Sequence, residues 1–230
     1  MKAKKVLAML LCLCMVVALA ACGAAKPEEP KEAEYKLGMG VVVNMGSSAA
    51  GNAQIDATVA AVVTGADGKI VSCRLDVAQN KMNVTDGAVD TAQSFKTKME
   101  LGDDYGMASS PYSPDNNGDG KVLEWYDQAK AFETYVVGKT ADEVAAMTTK
   151  EVNGHQISTD DALLSAGCTI QIGDFRDAVV KACRDEQGMS FKTASAFTLG
   201  VAAKTTAAES TAAADEQDGV VKMYSDFAAA

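Results

Sequence analysis

The chain has 230 residues, a formal net charge of −10, one histidine and six cysteines. An acidic surface repels both nucleic acid and anionic lipid headgroups, which excludes them as binding partners. A single histidine excludes the common His-rich zinc sites. The length suffices for one well-formed core, or for one domain and part of a second.

Residues 1–21 have the form of a secretory signal. A basic start is followed by an apolar run over residues 6–21, which is too short for a permanent membrane helix. The run leads into the sequence LAACG around Cys22, which resembles the lipobox of bacterial lipoproteins. That resemblance implies cleavage before Cys22 and attachment of a diacylglyceryl group to its thiol. The alternative is a plain cleaved signal in which Cys22 is incidental.

Residues 22–34 predict a lipid anchor and flexible tether, because prolines lie among charges without apolar periodicity. Two or more acyl chains anchor a protein stably. We therefore expect a protein held on the extracytoplasmic face of the cell membrane. Cys12 and Cys14 leave with the signal, so an odd number of cysteines remains and no disulfide framework is expected. The remaining ones are Cys73, Cys168 and Cys183.

The first part of the domain predicts an antiparallel meander. Residues 36–45 and 53–65 read as strands, and Asp67-Gly68 is a hairpin signal before a third strand over 69–79. That third strand alternates, which predicts Val71, Cys73, Leu75 and Val77 on its core face and Ser72, Arg74 and Asp76 on the other.

Helical periodicity follows. Residues 123–137 carry one apolar stripe, formed by Trp125, Ala129, Phe132 and Val136. Thr140 and Glu143 form a capping box that opens a short helix, and a second short helix follows Asp160. Another stripe predicts one continuous helix over 168–185, which would keep its two cysteines too far apart to bridge. Its members are Cys168, Ile172, Phe175, Val179 and Cys183.

Residues 191–230 are similar in sequence to the first two predicted strands. Leu199-Gly200-Val201 repeats Leu37-Gly38-Met39, and the stretch from Gly219 to Ala229 matches Gly51 to Ala61 at a constant spacing of 168 residues. The sequence therefore predicts one complete domain over 35–190 and a truncated second repeat over 191–230. Two arrangements stay open, in which the fragment adds strands to the first sheet or remains an unpaired edge. Chance similarity of two alanine-rich strands is the alternative.

Two surface segments carry candidate ligands. Asp115, Asn117 and Asp119 have the spacing of an EF-hand-type calcium loop, but position 12 of such a loop is Tyr126, so a turn that binds no calcium is favoured. The glycine-threaded segment 98–107 is either the lip of a pocket or a structured loop. His155 lies in a turn, and no nucleophile–base pair is visible, so we expect no enzyme.

Several short motifs suggest a family. The chain resembles repeat-containing lipoproteins of clostridia and their relatives, which are in turn similar to the bacterial FMN-binding domain, an α+β fold of membrane-associated electron transfer. The motifs are DGKIV at 67–71, ELGDDYGM at 100–107, EWY at 124–126, VGKT at 137–140 and IGDF at 172–175.

The resemblance implies a flavin site. In that family the last hydroxyl of an Asp-x-x-Ser/Thr-Gly-Ala-Ser/Thr motif receives FMN through a phosphoester made by a flavin transferase. The corresponding stretch here is residues 161–169, with Gly and Ala exchanged and one extra residue before Thr169. The implied cofactor-binding residues are Asp161, Ser165 and Thr169, with Tyr105 and Trp125 stacking on the flavin ring, although aromatics beside helices also form cores.

The sequence therefore predicts an α+β fold, in which an antiparallel sheet has helices packed on one side and a partial second copy of its first strand pair follows. The expected function is extracellular electron transfer by a membrane-anchored, FMN-binding-like lipoprotein with a redox or envelope protein as partner. The alternative is a non-catalytic envelope lipoprotein that binds a small solute or a protein without any cofactor.

Overall fold

The computed structural model describes residues 32–49, 52–85, 88–89, 95–108, 122–152, 154–193, 195–207 and 222–230. Residues Ala33–Ala230 belong to one structural unit. The predicted lipid attachment site and the calcium-like loop, which comprise Cys22, Asp115, Asn117 and Asp119, lie outside the described residues.

Antiparallel strands form the centre of this unit. Its main sheet has the strand order β4-β3-β2-β1-β7, and two separate two-stranded sheets are formed by β5-β6 and by β8-β9. The strands are β1 Ala33–Asn44, β2 Asn52–Gly65, β3 Ile70–Thr85, β4 Ala88–Val89, β5 Thr149–Val152, β6 His155–Ser158, β7 Met189–Thr193, β8 Val201–Ala207 and β9 Met223–Ala229.

The helices pack on one face of the main sheet, which confirms the predicted α+β class. No described helix has the length and apolar character needed to span a membrane. The helices are α1 Lys98–Leu101, α2 Trp125–Tyr135, α3 Ala141–Ala145, α4 Asp161–Ser165 and α5 Gly173–Cys183, with a 3₁₀ turn over Gly102–Tyr105.

The main core lies between β3 and the helices. The predicted stripe of α2 is buried throughout, since Trp125, Ala129, Phe132 and Val136 are each at most 3% exposed. They meet Cys73, Leu75 and Val77 of β3, which are also buried. The capping box of Thr140 and Glu143 opens α3 as predicted. Burial of these apolar side chains supplies the main stabilising free energy of the domain.

The predicted face of β3 is wrong at its start. Val71 is 41% exposed, and Ile70 takes the core position instead at 1% exposure. The pairing of β2 with β3 shifts register between Val63 and Thr64, and such an irregularity moves neighbouring side chains to the opposite face. Asp76 faces away from that core but is buried, and its carboxylate accepts from the backbone N–H of Met99.

The predicted continuous helix over 168–185 is also wrong, because α5 begins only at Gly173. The backbone N–H of Thr169 donates to Oε1 of Gln128 at 2.9 Å, and Gln171 forms a β-bridge with Ile157. These bonds hold residues 168–172 outside helical geometry. Periodicity cannot reveal them, since they depend on α2 and β6.

Helix α5 lies against β1 at very short range. A Cβ atom on Gly38 would lie 2.0 Å from the backbone oxygen of Ala182, and one on Gly40 would lie 2.1 Å from that of Ala178. Real Cβ contacts do not reach such distances, so glycine at both positions is what allows this packing.

Side chains and loops seal the edges of the long strands. The N–H of Leu75 on β3 donates to Oε1 of Glu133 at 2.7 Å, and Ile70 exchanges backbone hydrogen bonds with the turn after α2. On β1, the N–H of Met39 donates to Asp185, and Nζ of Lys181 donates to the carbonyl oxygen of Val41. At these positions the backbone groups already have partners, so a foreign strand cannot pair with them.

The β8–β9 hairpin adds no strand to the main sheet and does not project from it. It packs on the face opposite the helices, where Leu199 is 5% exposed and contacts Ala61 and Val63. The Nδ2 atom of Asn80 on β3 donates to Oγ1 of Thr205 at 2.9 Å. The hairpin therefore covers part of the sheet face opposite the helices, mainly over β2 and β3.

The two hairpins share one register. Met39 pairs with Ala61 in the first hairpin, and Val201, the residue equivalent to Met39 in the sequence echo, pairs with Ala229 in the second. The next pairs correspond in the same order, namely Val41–Val59 with Ala203–Phe227 and Val43–Ala57 with Thr205–Ser225. The truncated repeat stays a prediction, and this shared register supports it.

Candidate functional site

The segment that resembles the flavin-attachment motif spans α4 and the turn after it. Asp160 caps α4 by accepting from the backbone N–H groups of Ala162 and Leu163. Asp161 and Ser165 are exposed on this short helix. The turn continues through Gly167, whose φ of 100° is a left-handed conformation that glycine adopts without strain.

Thr169 occupies a different environment. Thr169 is 6% exposed, and its hydroxyl donates to Oε1 of Gln128 at 3.1 Å. The same amide oxygen accepts from the Thr169 backbone N–H. A transferase needs access to its acceptor hydroxyl, so covalent attachment at Thr169 would require this turn to open first.

The two aromatic residues expected to stack on a flavin both contact the same lysine side chain. Nζ of Lys98 lies 4.8 Å from the ring centroid of Tyr105 and 5.5 Å from that of Trp125. Trp125 is buried, with its ring edge-to-face against Phe175 at 5.7 Å. These contacts are of the cation–π and aromatic-core kind.

The glycine-threaded segment 98–107 contains helix α1 and the 3₁₀ turn. Its end is held by Glu124, whose carboxylate accepts from the backbone N–H groups of Met107 and Ala108 at 3.0 and 2.9 Å. Tyr126 donates its hydroxyl to Asp103, which fixes the 3₁₀ turn against α2. Backbone donors thus keep a buried carboxylate satisfied.

An open groove of about 460 Å³ runs along the outer side of α2 beside the end of α4. Leu123, Ala131 and Ala166 provide its apolar surface. Asp127, Lys130, Thr134 and Tyr135 provide its polar groups. The volume falls within the range of small-molecule sites, and an apolar surface with a few polar groups is their usual composition.

One end of the groove carries a fixed hydrogen bond. The hydroxyl of Tyr135 donates to Oδ2 of Asp160. Burial and this bond raise the pKa of Tyr135 to about 12, whereas the bond lowers the pKa of Asp160. Lys139 lies 4.3 Å from the centroid of the Tyr135 ring. The phenol is therefore a neutral donor at neutral pH, and its ring is held in place.

A second polar region lies on the helix side of β2. The Oδ1 atoms of Asn52 and Asp56 are buried, and neither has a hydrogen-bond partner. Burial, followed by the charges of Asp177 and Asp56, raises the pKa of Asp174 in the first turn of α5. Buried acceptors of this kind are normally satisfied by ordered water.

Neither the groove nor this acceptor pair follows from sequence reasoning. Asp127, Lys130 and Thr134 recur along the outer face of α2, and such a pattern is the same for a solvated helix surface as for the wall of a groove. The apolar wall comes from Leu123 before α2 and from Ala166 after α4, and no periodicity links those two residues.

His155 is exposed at the start of β6. Within the part of the chain that the structure describes, no group of three or more His, Cys, Asp or Glu side chains is arranged to hold a metal ion. Comparisons with protein-family models, with curated proteins and with solved structures find no match.

Proposed function

We propose that this chain is a lipid-anchored extracytoplasmic binding protein that holds a small, partly apolar solute in the groove between α2 and α4. The observation that carries the proposal is the groove itself, with about 460 Å³ of space beside the folded core. The proposal assigns the protein no catalytic step. The lipobox-like sequence around Cys22 supports its location at the membrane surface.

The polar groups of the groove indicate the chemistry of the solute. Lys130 offers a cation and Asp127 an acceptor on neighbouring turns of α2. Leu123 and Ala131 offer an apolar surface between the ends of the groove. A solute with a flat apolar body and polar substituents matches this arrangement. Its apolar body would contact Leu123 and Ala131, and its polar substituents would contact Lys130 and Asp127.

Non-covalent flavin is the second candidate. Ala166 lines the groove and lies within residues 161–169, the stretch that resembles the flavin-attachment motif. A flavin in this groove would be held without the phosphoester, since the hydroxyl of Thr169 is engaged by Gln128. Extracellular electron transfer would follow from that occupancy.

The first experiment is a thermal melt of the mature chain, residues 22–230, with FMN, riboflavin and a panel of small aromatic acids and amines. A bound solute raises the melting temperature by mass action. Absorbance of the purified protein tests for flavin that remains bound. A flavin spectrum that disappears on denaturation and filtration supports the second candidate, and one that stays with the denatured chain contradicts both candidates.

A matched pair of variants locates the site. Ala166→Trp fills the groove, whereas Ala162→Trp adds the same side chain to an exposed position of α4 outside the groove. We expect Ala166→Trp to abolish the ligand-induced shift and Ala162→Trp to retain it. Equal shifts in both variants would place the ligand elsewhere and overturn the proposal.

A further inference from the structure

The face of β1 that looks toward the β8–β9 hairpin carries an apolar strip. Alternate residues of a strand share one face, and Leu37 belongs to the cluster beneath the hairpin, so the face is fixed. Met189 of β7 pairs with Leu37 and extends the same face. We call this set the β1 strip, and it consists of Leu37, Met39, Val41, Val43 and Met189.

The hairpin leaves Val43 and Met189 of the β1 strip exposed. Its main contacts with the sheet are made on β3 and β2, through Asn80 and through Ala61 and Val63. On β1, Leu37 packs against the same cluster. At the two ends of the strip, Val43 is 60% exposed and Met189 is 64% exposed. Leu37, Met39 and Val41 between them are partly buried. The strip has no charged member, and water solvates its exposed apolar ends poorly.

The chain itself shows what kind of surface packs on this face. By the shared register, Val201, Ala203 and Thr205 of β8 occupy the positions of Met39, Val41 and Val43 in β1. These β8 residues form the half-buried inner side of the hairpin, while Ala202 and Lys204 between them are exposed. In β8, the residues equivalent to the β1 strip therefore pack on the face of the main sheet opposite the helices.

We propose that the β1 strip is a homodimer interface, on which the β1 strip of a second copy of this chain packs face to face. The interface resembles the one between hairpin and sheet on one side, because β8 packs on the sheet through the positions that correspond to the β1 strip. A two-fold axis near Val41 makes the contact self-complementary and brings the Val43 end of one copy toward the Met189 end of the other.

The properties of the strip favour a second copy as its occupant. From Leu37 to Val43 the strip is about 20 Å long, at roughly 3.4 Å per residue. Its members carry no charge, so two acidic chains meet there without placing like charges in contact. Tethering both copies to one membrane would raise their effective concentration, which allows a weak contact to be populated.

Sedimentation equilibrium tests this proposal. The full mature chain, residues 22–230, carries Cys22→Ser so that no lipid is attached, and is measured up to roughly 1 mM, where contacts worth about 4 kcal/mol are populated. We expect a dimer that dissociates on dilution. Val43→Glu and Met189→Glu should each halve the apparent mass at the highest concentration, because each introduces a charge into an apolar contact.

Val137→Glu is the matched control, since Val137 is 47% exposed after α2 and outside the strip. It should leave the dimer intact, and circular dichroism should show all three variants folded. A monomer at every concentration, or a dimer that survives Val43→Glu, overturns the proposal. So does a monomer that binds phosphatidylcholine vesicles and loses this binding on Val43→Glu, because lipid is then the occupant.

Discussion

Glu133 shows how one buried side chain stabilises both a helix and a strand edge. Its residue is 4% exposed, and its two oxygens accept from the backbone N–H of Leu75 and from the guanidinium of Arg74 at 2.7 and 3.1 Å. Arg74 is half-exposed, so solvent weakens the ion pair. The bond to the backbone is therefore the larger contribution.

Replacing Glu133 separates these contributions. Glu133→Ala leaves the buried N–H of Leu75 without an acceptor, and we expect a loss of about 1–3 kcal/mol in the free energy of unfolding. Glu133→Gln keeps an acceptor of the same shape and should lose less. Urea denaturation measures both. Equal losses would show that the charge, and not the acceptor, carries the stabilisation.

The same residue sets a pH dependence. Burial raises the pKa of Glu133 above its usual value of 4.5 in the folded chain. A raised pKa contributes stability that is complete below the unfolded value and is lost as the pH rises through the folded value. The wild-type chain should therefore lose stability relative to Glu133→Gln as the pH rises above about 4.5. A difference independent of pH would contradict this.

Residue types alone predicted the burial of two cysteines, but not the hydrogen bond that engages Thr169. The sequence places Cys73 and Cys168 in a core, and they are 2% and 0% exposed. It could not show that the hydroxyl of Thr169 is engaged by Gln128, because that bond joins residues far apart in the chain. The proposed flavin contacts of Tyr105 and Trp125 remain predictions, and in this structure Lys98 contacts both rings.

At the scale of elements, the contact between α5 and β1 depends on two glycines. We expect Gly38→Ala to destabilise the fold by about 1–3 kcal/mol, because its methyl group would lie 2.0 Å from the backbone oxygen of Ala182. Gly200 is its counterpart in the second hairpin, and a Cβ there lies 3.9 Å from the nearest atom. Thermal unfolding should show Gly200→Ala within about 0.5 kcal/mol of the wild type.

This pair of variants tests the packing directly. A small effect of Gly38→Ala would mean that α5 moves away from β1 at little cost. In that case, close packing against the backbone of α5 would not explain why glycine occupies position 38. An equally large effect of Gly200→Ala would show that the outer side of the hairpin is also tightly packed.

Elements with their own start and stop signals were predicted well. Helix α2 has a stripe that ends in the buried Val136, and α3 has the capping box of Thr140 and Glu143. Residues 168–185 lacked such a signal, and their stripe continues across a non-helical segment before Gly173. In this segment, the apolar residues spaced three and four apart lie first in a buried turn and then in a helix. The same spacing therefore arises without one continuous helix.

At the scale of the whole molecule, the hairpin β8–β9 covers part of the second sheet face. Leu199→Ala removes a side chain that is 5% exposed between hairpin and sheet, and we expect a loss of about 2–5 kcal/mol. Tyr224→Ala is the control, since Tyr224 is 59% exposed. Chemical denaturation gives the global effect. A Leu199→Ala variant as stable as the control would show that the hairpin contributes little to the fold.

The position of this hairpin could not be predicted from the sequence. The echo of Gly51–Ala61 in residues 219–229 indicates a strand pair, but internal similarity carries no information about the surface on which a fragment packs. Contacts such as Asn80 with Thr205 arise only after β3 and β8 have been brought together. The α+β class and the meander required no such information and were predicted correctly.

The sealed strand edges also determine how the fold opens. The outer N–H groups of Leu75 and Met39 are bound by carboxylates of Glu133 and Asp185, which lie at or beyond the ends of helices. The amide of Met39 becomes accessible when the chain after α5 frays. The amide of Leu75 becomes accessible only when the last turn of α2 opens, and that turn lies between the buried residues Phe132 and Val136. Hydrogen exchange at Met39 should therefore follow local fluctuations of low free energy, whereas Leu75 should exchange only in larger openings and Val59 and Val62 in the central strand only on global unfolding.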